Sequence, residues 1–464
     1  MKNNKLKLTF HGGTGGVTGA NFLLEENPPA GGGKRILVDC GLFQGGDFAE
    51  DKNKEQFPYD PASIDILFIT HAHLDHIGRI PKLVKEGFNG VIYSTPATME
   101  ITEISLIDSM GVLSKEAKKK GIEPLYNKED VQKTMSLWKK VPYKTQININ
   151  NNLKAVFKDA GHILGSSLIE FEFTPPDGVG KKIVFTGDLG NSPTPLLRDA
   201  EEIKDADYMI IESVYGNRNH EDIDERNQKL KEAIENTINR GGALLIPAFS
   251  IERTQVLLYE INNLVEDGKI PKIPVFLDSP LAIKVTKVYQ DRIQNFNKGV
   301  KDEIAGGDDI FKFPLLEFTE HHQESLKIID TPNPKIIIAG SGMSNGGRIV
   351  RHEKTYLSDP NSTLLIVGYQ AAGSLGRKLL DGAKEVEIMD QIVKVKAKVI
   401  NLTGYSAHRD SDGLLEFVDN SVETLKKVFV VMGEQKSALF LTQRLRDYVG
   451  VDAIAPKLGE SFEF

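Results

Sequence analysis

The stretch Ile66-Leu67-Phe68-Ile69-Thr70-His71-Ala72-His73-Leu74-Asp75-His76 decides how this chain reads. An apolar run passes straight into a segment holding three of the chain's ten histidines and an aspartate. The run reads as a buried strand and the rest as the loop at its end. In extended backbone, alternate side chains share a face, so His71 and His73 point together and can reach one cation. Asp75 and His76 lie further along and can reach a second. Imidazole with carboxylate suits zinc, and also manganese or iron. The plainer alternative, polar residues capping a strand, does not account for three histidines within six positions.

Two metal shells need more ligands than these. Ala160-Gly161-His162-Ile163-Leu164-Gly165-Ser166 sets a histidine after a strand-like run, and Phe185-Thr186-Gly187-Asp188-Leu189-Gly190 sets an aspartate at another strand end. His162 would complete the first ion's shell. Asp188 would bridge both ions, since one carboxylate can offer an oxygen to each. Asp39, closing Ile36-Leu37-Val38, is the candidate to orient a ligand imidazole by hydrogen bonding.

Working outward, short β-rich runs with glycine-bearing turns fill the first 215 residues, at 6–10, 21–24, 35–38, 64–70, 91–94, 153–158, 167–173, 182–186 and 208–212. Residues 97–140 instead carry helical spacing, and the lysines of 115–120 read as a solvated helix face. Residues 28–33 read as a surface hairpin loop. From about Asn217 strands alternate with helices: helices at 224–239 and 253–266, strands at 243–247, 275–278, 335–339 and 363–367. That alternation predicts a doubly wound parallel sheet. The glycine-rich segment 340–347 follows one of these strands; its amides could cradle a phosphate or simply make a turn. After about Gln391 β-rich runs return at 393–402 and 428–432, before a terminal helix at 436–448. The last block is thus placed to complete the chemistry of the first.

At 464 residues and 40% hydrophobic, the chain can bury a large core and is long for one domain, so two domains are expected, either in succession or with one set within the other. A single cysteine, Cys40, rules out an internal disulfide and fits a reducing cytoplasm. The first ten residues have lysines but no apolar core of a signal peptide, and no run of about 20 apolar residues suggests a membrane span. The net charge of −8 argues weakly against a polyanion ligand, because bound divalent ions offset several carboxylates.

The order Asp39, His71-x-His73-x-Asp75-His76, His162, Asp188 resembles the metallo-β-lactamase superfamily. Further motifs resemble its β-CASP nuclease branch, which includes the cleavage-and-polyadenylation endonuclease subunit, the RNase J enzymes and the Artemis-type DNA nucleases. Ile211-Glu212-Ser213-Val214-Tyr215-Gly216 resembles the branch's acidic motif A, with Val214 where threonine is commoner. Gly404-Tyr405-Ser406-Ala407-His408 resembles motif B. Residues 340–347 and Gly368-Tyr369-Gln370-Ala371-Ala372-Gly373-Ser374-Leu375-Gly376 resemble glycine-rich segments of the inserted domain.

The resemblance implies an α/β fold: a metallo-β-lactamase αββα sandwich over 1–215 and 393–464, with a β-CASP domain, a parallel sheet flanked by helices, inserted over 216–392. It implies two divalent ions, zinc first and manganese as the alternative, on His71, His73, Asp75, His76, His162 and Asp188. It implies cleavage of single-stranded RNA, internally or from the 5′ end, by a hydroxide held between the ions. Asp75, Glu212, His408 and Asp39 would carry the catalysis. His408 would contact the scissile phosphate or protonate the leaving oxygen, with Glu212 fixing its tautomer. Ser341, Gly342, Gly373, Ser374 and His408 would touch substrate. One departure matters. Where RNA-processing members place a histidine ligand after motif B, this chain has Met432, and a thioether is a poor ligand for a hard ion. The second metal site is then expected to be weakened, and an Artemis-like DNA nuclease stays as the alternative, with a non-catalytic RNA-binding scaffold behind it. Whether a homodimer or protein partners are involved is left open.

Overall fold

The structure is a computed structural model that describes residues 5–27, 33–45, 49–175, 178–221, 223–370 and 373–464. The hairpin loop expected at 28–33 lies outside them except for Gly33, as do Ala371 and Ala372 of the second glycine-rich segment. Packing of the backbone gathers residues 1–219 and 408–464 into one compact unit and 220–407 into another.

The first unit holds two seven-stranded sheets. In spatial order the first runs Ser461–Glu463, Lys5–Phe10, Phe22–Asn27, Arg35–Val38, Ile66–Phe68, Val91–Ser94 and Trp138–Lys140. The second runs Ala453–Ile454, Lys427–Val431, Tyr208–Glu212, Lys181–Phe185, Ser167–Phe173, Leu153–Asp159 and Ile147–Asn148. Leu8, Phe10, Val38 and Phe68 from the first pack with Phe157, Phe171, Phe185 and Phe429 from the second in one buried cluster. The outer face of the first sheet packs on the helices Leu74–Ile77, Ile80–Lys85, Pro96–Lys120 and Lys128–Ser136, and that of the second on Ser411–Asp419 and Gln435–Arg444. The order of layers is therefore helix, sheet, sheet, helix.

The second unit is built on a six-stranded parallel sheet in the order Leu316–Phe318, Val275–Asp278, Lys335–Ala339, Ala243–Pro247, Thr363–Ile366 and Lys398–Asn401. Its four central strands are buried at every position, as a sheet covered on both faces requires. The run read as one strand at 393–402 divides. Gln391–Lys394 closes a hairpin with Glu385–Ile388, while Lys398–Asn401 joins the parallel sheet. The helical reading of 97–140 overshoots at Trp138–Lys140, which adds an edge strand beside Val91–Ser94. No helix among the described residues is long and apolar enough to cross a membrane.

What positions the site is a parallel pairing of the second and third strands of the second sheet of the first unit. Lys427–Val431 lies beside Tyr208–Glu212, with Glu212 opposite Val431, so the returning C-terminal segment meets the acidic strand end directly.

Candidate metal centre

The polar residues collect at the C-terminal ends of strands. Asp39 follows Arg35–Val38, His71 and His73 follow Ile66–Phe68, Asp188 follows Lys181–Phe185, and Glu212 closes Tyr208–Glu212. Apolar runs pull each strand into the core, and the first residues past their ends emerge at one place.

His71, His73, His162 and Asp188 offer four ligand atoms within 4.8 Å of one another. His73 Nδ1 is 3.1 Å from His71 Nε2 and 3.3 Å from His162 Nε2. Asp188 Oδ2 is 3.4 Å from His71 Nε2 and 3.7 Å from His162 Nε2. Ligands at tetrahedral corners, roughly 2.0–2.1 Å from a zinc-sized ion, stand roughly 3.3 Å apart. Burial pushes the three imidazoles below their ordinary pKa, which keeps them in the neutral form that ligates. On the other side of Asp188, His76 Nε2 lies 3.4 Å from its Oδ1 and 3.9 Å from Asp75 Oδ2. His76 Nε2 and Asp188 Oδ1 are both buried and make no hydrogen bond. Burial disfavours charge on both groups. Even so, His76 and His71 hold Asp188 well below the carboxylate range, and Asp188 and Asp39 hold His76 well above its usual value. The donor set and its unmatched atoms fit a cation.

Asp39 sits behind this cluster. It is buried, takes the left-handed φ of 60°, and lies 2.7 Å from His76 Nδ1. Thr70 donates to it twice, from its backbone N–H and its hydroxyl, each at 2.8 Å. The same hydroxyl is 3.0 Å from His71 Nδ1. Asp39 and Thr70 thus turn the Nε2 atoms of His76 and His71 toward Asp188.

A second group joins Asp188 to Glu212 and His408. His408 Nδ1 is 3.2 Å from both Glu212 oxygens and 3.9 Å from Asp188 Oδ2. Glu212 is fully buried and accepts from the backbone N–H of Leu189 at 2.7 Å. Burial opposes charge on His408, but Glu212 outweighs it and lifts the imidazole to about 9. The Tyr215 ring stacks beside His408 at 6.2 Å and 27°.

Comparison with known proteins agrees with this geometry. Residues 15–131 match the metallo-β-lactamase superfamily, 254–379 the β-CASP domain, and 392–456 the Zn-dependent metallo-hydrolase RNA specificity domain. The chain is 36% identical over 429 residues to "Ribonuclease TTHA0252" of Thermus thermophilus, covering 92% of this chain and 93% of the relative. The chain belongs to the β-CASP branch of the metallo-β-lactamase superfamily. An "RNase J-like protein" of Methanocaldococcus jannaschii is 31% identical over 97% of this β-CASP chain and 98% of the relative. "Transcription termination factor FttA" of Methanosarcina mazei is 32% identical over 95% of this chain and 69% of its own length. A solved structure of a protein of unknown function from Enterococcus faecalis shares the fold, with TM-score 0.53, 14% identity, and coverage of 99% of this chain and all of the other. The family's fold implies a divalent metal, and the His/Asp cluster fits one.

Other residues make contacts of their own. Met432 ends its strand early, with φ 46° and its backbone N–H donating to Gly13 O at 2.7 Å. Its side chain is buried with Phe22 and Phe185, and a Cβ on Gly13 would fall 2.7 Å from its sulfur. It shares a small cavity with Asp39, Thr70 and His76. Ser341, Gly342, Gly373 and Ser374 belong to the second unit. There Gly342 O accepts from Gln370 Nε2 at 2.8 Å, and the Ser374 hydroxyl caps the helix Leu375–Leu380 by accepting from Arg377 N. Arg348 is engaged with Asp278 at 2.7 Å. His352 lies 2.7 Å from the same aspartate, and His11 packs on Tyr59. Sequence reasoning missed Thr70 and Tyr215. Thr70 stood next to His71 in the opening motif, and Tyr215 three residues after Glu212.

Proposed function

We propose that this β-CASP chain is a metal-dependent nuclease that cleaves single-stranded RNA. One observation carries the reading: Asp188 belongs both to the four-ligand cluster and to the Glu212–His408 pair, so a bound cation and a proton-carrying imidazole would act on the same few ångströms. The relatives named ribonuclease and RNase J-like supply the substrate class. His71, His73, His162 and Asp188 would hold the first ion, zinc by preference. Asp75, His76 and Asp188 would hold a second more weakly, because Met432 offers it no imidazole. Bound divalent ions supply charge that neutralises phosphate oxygens and acidifies water to a pKa of about 7. Glu212 holds Nδ1 of His408, and so presents Nε2 as the atom that protonates the leaving oxygen. Asp39 acts through His76 by fixing its ring. Ser341, Gly342, Gly373 and Ser374 remain candidates for contacting substrate.

We also take 220–407 as the inserted domain, since Lys398–Asn401 pairs with Thr363–Ile366. Cytoplasmic residence suits Cys40, a buried thiol that burial pushes up to about 12.

The test is to incubate the protein, with zinc and then manganese, with labelled single-stranded RNA and matched DNA, alongside a double Asp75→Ala/His76→Ala control. RNA cleavage lost in the control supports the reading. Cleavage of DNA at least as fast as RNA would overturn it in favour of the DNA nuclease that Met432 allows.

A further inference from the structure

His408 is the residue at which the chain re-enters the first unit, because the second unit ends at Ala407. Its own ring is held by Glu212, and the next residue's N–H donates to Leu189 O at 2.8 Å. The segment just before it is held by something else. The Tyr405 hydroxyl donates to the Glu260 carboxylate, and Glu260 also takes the Arg226 guanidinium. That guanidinium lies over the Tyr405 ring, 4.5 Å from its centroid, and Nη1 donates to Gly404 O at 3.1 Å. Arg253 Nε donates to Tyr405 O at 2.9 Å. Arg226, Glu260 and Tyr405 are all buried. Two consecutive carbonyls, one ring and one hydroxyl are therefore fixed by the helices Ile223–Asn239 and Arg253–Glu266. A Cβ at 404 would meet the Arg226 side chain at 3.0–3.2 Å, so alanine there would push Arg226 aside by a few tenths of an ångström.

His408 stands three positions after Tyr405, a reach of at most about 10 Å. An imidazole tied so closely to a fixed point cannot settle independently of it. Proton transfer falls off when the donor is misplaced by even about 1 Å. We infer that Arg226, Glu260 and Tyr405 are positioning residues for His408: a buried Arg–Glu–Tyr anchor holds the segment that leads into this imidazole. The inference rests on the proposed nuclease reading for its catalytic consequence, but its structural claim stands on its own.

The experiment compares two matched substitutions. Tyr405→Phe removes only the hydroxyl bonded to Glu260. Tyr289→Phe removes a like hydroxyl, bonded to the buried Glu252 in the same unit, without touching residues 404–407. Each variant is assayed on a single-stranded oligoribonucleotide and on bis(p-nitrophenyl) phosphate. Metal content and the Cε1–H resonance of ¹³C-histidine-labelled protein are also measured, with the His408 signal assigned by its loss in His408→Ala. Tyr405→Phe is expected to lower kcat about tenfold with KM within twofold, to keep the metal, and to move the His408 resonance. Tyr289→Phe is expected to leave kcat and that resonance unchanged. If Tyr405→Phe is poorly folded, Gly404→Ala carries the same expectation. An unmoved His408 resonance in both Tyr405→Phe and Gly404→Ala would overturn the inference, as would equal kcat losses in the two tyrosine variants. Wild-type protein that cleaves neither substrate counts against the nuclease reading, while the resonance still decides the anchor.

Discussion

Asp188 in the first unit and Asp278 in the second are both buried carboxylates at or just past the ends of sheet strands, each with histidine beside it. Their surroundings differ in the lengths of their contacts. Asp278 Oδ1 accepts from the Thr319 hydroxyl and from Arg348, both at 2.7 Å. Its Oδ2 accepts from the Ser325 hydroxyl at 2.6 Å and lies 2.7 Å from His352 Nε2. Those are hydrogen-bond distances, and they account for the carboxylate's acceptor capacity. Burial opposes its charge, yet these partners hold its pKa below the usual range. Around Asp188 the imidazole nitrogens stand at 3.4–3.7 Å, too far for good hydrogen bonds and spaced as atoms that share an ion. One histidine–aspartate group holds a fold together, and the other is arranged around a ligand.

The sharpest way to break that contrast is to delete each carboxylate. Asp188→Ala should cost RNA cleavage about 10³-fold or more, the several kcal/mol of charge stabilisation that a bound ion supplies. It should also lower the metal bound per chain, while the metal-free protein melts within a few degrees of wild type. Asp278→Ala should do the reverse. It leaves the Ser325 hydroxyl and His352 buried without their shared acceptor, a loss of about 1–3 kcal/mol in denaturant unfolding, with metal retained in the folded fraction. Similar unfolding losses in the two variants would remove the distinction.

The next effect is smaller and divides the metal cluster itself. Wild-type protein dialysed against buffer should keep close to one ion per chain. Met432→His should retain a second at least about tenfold more tightly, since even an outer hydrogen-bond partner of a ligand is worth that much. Histidine tolerates the left-handed backbone at this position. Two ions held equally by the wild type would show that Asp75, His76 and Asp188 suffice.

Much of this site was legible in the sequence because its ligands follow apolar strands by a few residues. His71, His73, His162, Asp188 and Glu212 could each be read as a strand-end residue, and tertiary folding only had to bring those ends together. The central strands of the second unit were legible for a related reason, since burial on both faces leaves continuous apolar runs such as 335–339. What escaped depends on pairing. Trp138–Lys140, Ala453–Ile454 and Ser461–Glu463 are two or three residues long, too short to show a period, and their neighbours decide that they are strands. Thr70 toward Asp39, and Arg226 with Glu260 and Tyr405, are polar residues whose partners lie 31 to 179 positions away. No local pattern announces such a bond.

Glu252 gives the mildest test, because it is a buried acid that meets its situation in a third way. Its side chain has the Tyr289 hydroxyl as a donor and Arg253 as a nearby charge, and burial pushes its pKa up to about 8. Asp278 stays ionised among its donors, and Asp188 stands among ligands for an ion; Glu252 keeps its proton. The sign of the consequence follows from proton counting. Between about pH 4.5 and about 8 the folded chain holds a proton here that the unfolded chain has released, so this group's contribution to stability falls as pH rises. Glu252→Gln keeps the shape and removes the titration. The variant should therefore match wild type near pH 5 and exceed it by on the order of 1–3 kcal/mol at pH 8. Urea unfolding of both proteins across that range measures it. A constant difference at every pH would mean that Glu252 is ionised when folded, and that a positive partner balances it as Arg348 balances Asp278.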